Sequence, residues 1–372
     1  MNIFEKANNQ LENFIQNNLF SYNKLRNYDY GTQNRSNVSQ ISKYTSHRIL
    51  YEYDILKKLK STDKHKKFTD EILWRIYWRG YLENHKIIWN EYKNFKDLSY
   101  DSSVLKNAIN GETGIDCFDN WLQELIENNY LHNHARMWFA SIWIFKLKLP
   151  WKLGANLFMK HLLDGNAATN TLSWRWVAGM HTNNRAYIAT DGNISKYTNN
   201  RFRKFSNKIS DKIIIKSKTN THRANKLPLQ NKSSDNNILL MFDNDLNIKD
   251  RSRLFESYKK VYILYNEIIE NNVTLCKNVS HFKKDLILNI HKSISNSEII
   301  YPIELDIFLK DLKSIDVIYP GIGNNLDLIN IYSNQKKINI NYIYRDEDLV
   351  FWNHSRSGYY KFKNSFYKME NI

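Results

Sequence analysis

No proline interrupts the first 149 residues, and glycine is sparse among them. Those two residues most often stop a helix, so the first half of the chain is free to build long ones. The apolar residues bear this out in their spacing. Ile3, Phe4, Ala7, Leu11, Phe14, Ile15 and Leu19 make a helical stripe over 3–19. Ile49, Leu50, Tyr53, Leu56 and Leu59 make another within 41–60, and Phe68, Ile72, Leu73, Ile76 and Tyr77 a third within 68–92. Phe118, Trp121, Leu122, Leu125 and Ile126 mark a helix ending near Asn129. The spacing predicts further helices over 131–149 and 151–163, divided at Pro150, and one after Asn170. Residues 21–40 and 110–116 read as loop and turn. Residues 1–205 are therefore expected to form an all-helical domain.

The pattern then changes twice. Residues 201–232 carry ten Arg and Lys against one Asp, and 206–235 read as a basic linker or solvated arm. Beyond it, short apolar runs (Ile238–Phe242, Val261–Tyr265, Ile299–Tyr301, Val317–Tyr319, Ile338–Tyr344) alternate with helical stretches at 249–259, 280–294, 303–313 and 324–334. Such alternation predicts a small, mainly parallel α/β (Rossmann-like) domain over 236–372. It carries no GxGxxG or GxxxxGK[ST], so no phosphate loop is expected. The tail, FWNHSRSGYYKFKNSFYKM, is aromatic and basic.

Composition narrows the chemistry. The only cysteines, Cys117 and Cys276, exclude a disulfide framework, a four-cysteine zinc site and a four-cysteine iron–sulfur cluster made by this chain alone. His132 and His134, two apart, cannot both ligate one metal from a helix. No run of about 18 apolar residues predicts a membrane span. The opening MNIFEKANNQ lacks the pattern of a secretory signal, so a reducing cytoplasm is expected. The net charge of +16 favours an anionic partner, nucleic acid first.

The polar residues of 131–176 are the informative ones. Asn133, Arg136, Asp164 and Asn170 fall among apolar residues, where a lone charge is costly; a buried Arg136–Asp164 pair is the economical arrangement. Trp174 and Trp176 are about 200° apart on a helix, so one ring can face an interior group while the other faces a cavity. Glu71 and Trp74 share a helix face, a ring to stack on a nucleobase beside a carboxylate to accept its N–H groups. A core tryptophan with a surface glutamate would look the same.

These motifs together resemble the photolyase/cryptochrome family. HNHARM, LPW, HLLDGN and NTLSWRW follow in order within 131–176, and the resemblance reaches back through FTDEILWRIYW at 68–78 to 22–39. It covers roughly residues 4–200. It implies an all-helical FAD-binding domain in which Tyr22, Arg35, Ser36, Asn37, Val38 and Ser39 hold the FAD phosphates. Asn133, Arg136, Asp164, Asn166 and Asn170 would surround the isoalloxazine, with Asn170 against N5. Trp174 and Trp151 would be the first members of an electron-transfer chain. Glu71, Trp74, Asn133, Met137 and Trp176 would line the cavity for a flipped pyrimidine dimer. Asn133 and Met137 stand where the branch acting on (6-4) photoproducts carries histidines, which points to cyclobutane dimers.

Three departures stand out. The family's DGD reads DGN, placing Asn166 where a carboxylate is usual. The distal tryptophan of the transfer chain aligns with Ala108, leaving the chain to end at Trp151 or to continue through Trp138, Trp143 or a tyrosine. The α/β domain follows the helical one instead of preceding it, so it is expected to be a permuted antenna-like domain; no motif names an antenna chromophore. The implied function is light-driven repair of DNA, single- or double-stranded, by a monomer. The alternative is a cryptochrome-like blue-light sensor.

Overall fold

The computed structural model describes residues 2–59, 65–94, 99–181, 185–202, 224–228, 230–269 and 273–369. Most of the basic stretch expected as a linker lies outside them.

Asn2 starts the first helix. Its side chain accepts the Glu5 N–H while the Glu5 carboxylate accepts the Asn2 N–H, satisfying two orphan donors at once. The helices of the first half are α1 (Ile3–Asn17), α2 (Leu19–Leu25), α3 (Ser42–Thr45), α4 (Glu52–Leu59), α5 (Lys66–Asn84), α6 (Lys86–Lys93), α7 (Ser102–Asn110), α8 (Asp116–Asn128), α9 (Asn133–Ser141), α10 (Trp151–His161), α11 (Ala167–Val177) and α12 (Asp191–Tyr197). Several depart from their apolar stripes. Leu19–Leu25 is a short helix inside the stretch read as loop. The 41–60 stretch is two helices parted by an irregular segment, in which Arg48 takes a left-handed φ of 54°. The 68–92 stretch breaks at His85, whose ring stacks on Tyr81 at 4.0 Å. After α9 the backbone widens into a π turn, Ile142–Lys146. The helix α11 starts before Asn170, because Asn166 caps it by accepting the N–H groups of Ala168 and Thr169.

The second half is built on β1 (Ile238–Phe242), β2 (Lys260–Leu264), β3 (Ile268–Ile269), β4 (Val273–Thr274), β5 (Ser297–Ile300), β6 (Ser314–Ile318) and β7 (Asn339–Ile343). β3 and β4 form a small antiparallel pair. The other five make a parallel sheet ordered β5-β2-β1-β6-β7. Leu239 to Phe242 are all buried, as a parallel strand covered on both faces should be. Helices α13 (Ser252–Glu256), α14 (Lys277–Ser293), α15 (Leu305–Phe308) and α16 (Asn324–Lys336) connect the strands. The aromatic tail forms α17 (Asp346–Trp352) and α18 (Tyr359–Met369), both of which pack on α5. The fold is thus mainly α, a helical unit followed by a small parallel α/β unit.

The chain leaves β1 toward β2 and β5, then returns to its other side at β6. In such sheets the crevice at the carboxyl ends, where the strand order reverses, is the usual ligand site. Here the helical unit fills it. Arg48 pairs with Asp348 at 2.6 and 2.8 Å and reaches Asp245 at 3.3 Å. His47 Nδ1 lies 2.8 Å from the Asp243 carbonyl oxygen. Glu83 accepts hydrogen bonds from the Tyr319 hydroxyl at 2.6 Å and the Ile322 N–H at 2.7 Å.

Candidate functional site

Helix α9 begins at the buried His132, whose ring accepts the His134 N–H. Asn133, Arg136 and Met137 follow at one-turn spacing, so they share a face. That face opens on a cavity of about 580 Å³. Helix α11 supplies Thr169, Asn170, Ser173, Trp174, Trp176 and Val177, and α5 supplies Glu71, Trp74, Arg75 and Trp78. Tyr22 and Arg26 come from α2 and the residue after it.

Arg136 and Asp164 do pair, Nη1 to Oδ2 at 3.0 Å, with the carboxylate 5% exposed. Burial opposes ionisation of Asp164, but Arg136 foremost outweighs it and holds the carboxyl below its ordinary range. Among the described residues its other oxygen, Oδ1, is buried without a hydrogen bond of ordinary length, the Ser42 hydroxyl standing near the carboxylate, and Arg75 Nε and Trp174 Nε1 are likewise buried without partners. Unpartnered buried polar atoms around one cavity are costly unless something bound there satisfies them. The turn carrying Asp164 is clamped from the α3 side. Ser46 donates to the Asp164 carbonyl at 2.8 Å, Arg75 donates to the Ser46 hydroxyl at 2.6 Å, and His47 Nε2 lies 3.2 Å from the Leu163 carbonyl.

Asn170 donates one amide N–H to the Ala155 carbonyl at 2.9 Å, which leaves its carbonyl oxygen and its second N–H for a bound group. Trp174 is buried against α10, where Gly154 makes room for it: a Cβ there would lie 2.3 Å from the ring. Trp176 is half-buried and stacks on Tyr187. Both tryptophans border the same cavity.

Glu71 pairs with Arg26 at 2.6 Å. Burial raises its pKa, and Arg26 opposes that. Trp74 is half-buried, with one face covered by Tyr359 of α18, the ring centroids 3.7 Å apart and the planes within 8°.

The remaining residues named from sequence stand elsewhere. Of the 35–39 stretch, Val38 and Ser39 border the cavity. Arg35 turns instead into a buried pair with Glu124, where it also lies over the Tyr130 ring. Ser36 is exposed, and Asn37 is spent on the carbonyls of Leu25 and Tyr28. Asn166 serves as the α11 cap. Trp151 stacks on Tyr92 at 5.8 Å, and Tyr92 in turn meets Trp89 at 5.2 Å. Trp143 meets Trp174 edge-on at 6.3 Å, whereas Trp138 stacks on Trp121 and His134. Ala108 is buried in α7.

Sequence reasoning missed Arg26, Gln40, Ser42, Thr45, Arg75 and Trp78, all at the cavity. Arg75 had a legible signal: it follows Glu71 by four residues, on the same helix face. Among the described residues no cluster of His, Cys, Asp and Glu could hold a metal ion, and no helix is long and apolar enough to cross a membrane.

Parts of this chain are similar to known proteins. The family described as FAD binding domain of DNA photolyase matches residues 68–204. A deoxyribodipyrimidine photo-lyase of Streptomyces griseus is 32% identical over 120 residues, 32% of this chain and 26% of that protein. One of Neurospora crassa is 26% identical over 196 residues, 49% of this chain and 32% of that protein. Among solved structures, a bacterial class III photolyase from Agrobacterium tumefaciens is similar with a TM-score of 0.46 and 23% identity, covering 53% of this chain and 42% of that one. The chain spans less than two fifths of the length of the curated relatives it matches here. Residues 68–204, which carry much of the cavity's lining, are thus similar to the FAD-binding domain of DNA photolyase.

Proposed function

We propose that this chain performs light-driven DNA repair, splitting cyclobutane pyrimidine dimers with bound FAD. The observation that carries the reading is a single cavity joining the buried Arg136–Asp164 pair to a carboxylate–tryptophan set, Glu71, Trp74 and Trp176. The buried Asp164 Oδ1, Arg75 Nε and Trp174 Nε1 fit a flat heterocycle rich in donors and acceptors. The chemistry FAD supplies when bound is a light-driven electron, lent to the dimer and recovered after the ring splits.

The protein's residues do the rest. Arg136 and Asp164 hold the heterocycle's polar edge. Asn170, oriented by the N–H it donates to Ala155, would present its carbonyl oxygen to a protonated N5. Tyr22, Val38 and Ser39, which border the cavity, would hold the phosphates. Trp74 and Trp176 offer ring faces to the extruded pyrimidines, and Glu71, fixed by Arg26, accepts their N–H groups. Asn133 and Met137 border the same space. Trp174 and Trp151 would pass electrons inward to recharge the flavin. The charge of +16 suits contact with the phosphate backbone.

The test is an oligonucleotide carrying one thymine dimer, single- and double-stranded, incubated in light and dark with flavin-reduced protein. Dimer loss in light alone is expected. Retained FAD with no light-dependent loss would overturn the repair reading and favour a blue-light sensor.

A further inference from the structure

The aromatic, basic tail has a place in the fold that the repair reading does not use. Tyr359, the first residue of α18, stacks flat on Trp74. Its hydroxyl is anchored to Asp70, 3.1 Å from the backbone carbonyl and 3.3 Å from Oδ1, and Lys363 one turn on pairs with the same carboxylate. Phe362 and Phe366 sink into the core, so α18 is firmly seated. One face of a tryptophan that borders the cavity is thereby backed by a residue about 285 positions away.

What α18 shows to solvent beside that point is distinctive. Tyr360 is 78% exposed. Lys361 is exposed next to it, and Arg356, three residues before the helix, is exposed with one bond to Asn353. From 353 to 369 there are Arg356, Lys361, Lys363 and Lys368 and no acidic residue. Asp70 is already neutralised by Lys363, and Glu71 by Arg26. An exposed ring flanked by cations that pair with no carboxylate among the described residues is the pattern that binds single-stranded nucleic acid, the base stacking and the phosphates neutralised.

We infer that residues 354–361 form a strand-holding rim of the cavity. Tyr359 is a positioning residue that fixes the Trp74 plane, while Arg356, Tyr360 and Lys361 grip the DNA strand next to the extruded nucleotides. The inference rests on the cavity being a lesion site, and it makes the α/β unit part of DNA recognition.

Fluorescence anisotropy of a labelled single strand, with and without one thymine dimer, tests it across a salt series. The triple variant Arg356→Ala, Tyr360→Ala, Lys361→Ala should weaken binding to both strands about tenfold or more, as loss of one stacked base and two phosphate contacts implies. Its slope of log K against log salt should shrink by about 1.4, the amount expected for two phosphate contacts on a single strand. FAD content, read by absorbance, should not change. Tyr359→Phe, which keeps the stack, should retain preference for the dimer, and Tyr359→Ala should lose it. An unchanged affinity and slope in the triple variant, with wild type binding normally, would overturn the rim. Wild-type protein that binds plain and dimer-containing strands equally would strike instead at the lesion-site reading, and the slope on the plain strand would still report on the rim.

Discussion

At the residue scale the cavity turns on one ion pair. Asp164 keeps its charge in a buried turn because Arg136 lies 3.0 Å away. Arg136→Ala leaves that charge without its main partner, which should cost on the order of 3 kcal/mol in urea unfolding. The pH dependence has a definite sign. In the wild type the folded pKa is depressed, so the stabilisation is present above the unfolded carboxylate value of about 4 and is lost only as pH falls through the folded one. In the variant burial dominates, the pKa rises, and Asp164 costs stability as pH climbs past it. The difference between the two proteins should therefore widen from pH 5 to pH 8; a constant difference would mean Arg136 acts by packing alone. The pair was legible in the sequence, because a lone charge in so apolar a stretch has few alternatives. Arg35 was not. Its partner, Glu124, is 89 residues away on α8, and no local pattern joins them.

At the element scale the contact of α10 with α11 sets where Trp174 stands. Gly154 faces the ring so closely that a methyl group would overlap it, with the nearest ring atom 2.3 Å from the added Cβ. Gly154→Ala should force the indole aside and lower stability by about 1–3 kcal/mol, the usual cost of overpacking a core. Thermal melting gives the stability. Photoreduction of bound FAD, slowed in Gly154→Ala as in Trp174→Phe, gives the displacement. Repair by chemically reduced Trp174→Phe protein should be unaffected. Helical stripes and the strand–helix alternation were readable because each depends on neighbours three, four or two residues apart. The breaks were not. The irregular turn at 46–51 is held by Arg48, whose partners Asp245 and Asp348 lie in the other unit. Trp74 looked like a free stacking ring from its own helix; Tyr359, which backs it, becomes a neighbour only once the α/β unit has folded against α5.

Across the whole molecule the two halves meet at buried charges, and these titrate in opposite senses. Asp243, with Lys283 and His47 beside it, and Asp245, with Arg345 and Arg48, are held far below the usual carboxylate range despite burial. Their contribution is complete above about pH 4 and fades as pH falls toward their folded values. Glu83 runs the other way. Burial pushes it up to about 7, with the bonds from Tyr319 and Ile322 only partly opposing the rise. A carboxyl raised in the folded state stabilises at low pH, and that share is lost as pH climbs from the unfolded value of about 4.5 to the folded one near 7; a shift of this size corresponds to roughly 3 kcal/mol. The interface should thus be firmest at about pH 4 to 5, where the two aspartates are ionised and Glu83 still holds its proton in both states. Glu124, also raised to about 7 by burial, adds an alkaline loss of its own near Arg35, so the wild-type curve alone does not isolate the interface. Glu83→Gln does. Its amide can still accept from the Ile322 N–H and donate to the Tyr319 oxygen, but it cannot ionise. Melting temperature should fall less steeply between about pH 5 and 7 in Glu83→Gln than in the wild type, and the two curves should run parallel above about pH 8. Parallel curves across the whole range would show that Glu83 is already charged at the junction, and that the two halves are joined there by an ionised carboxylate.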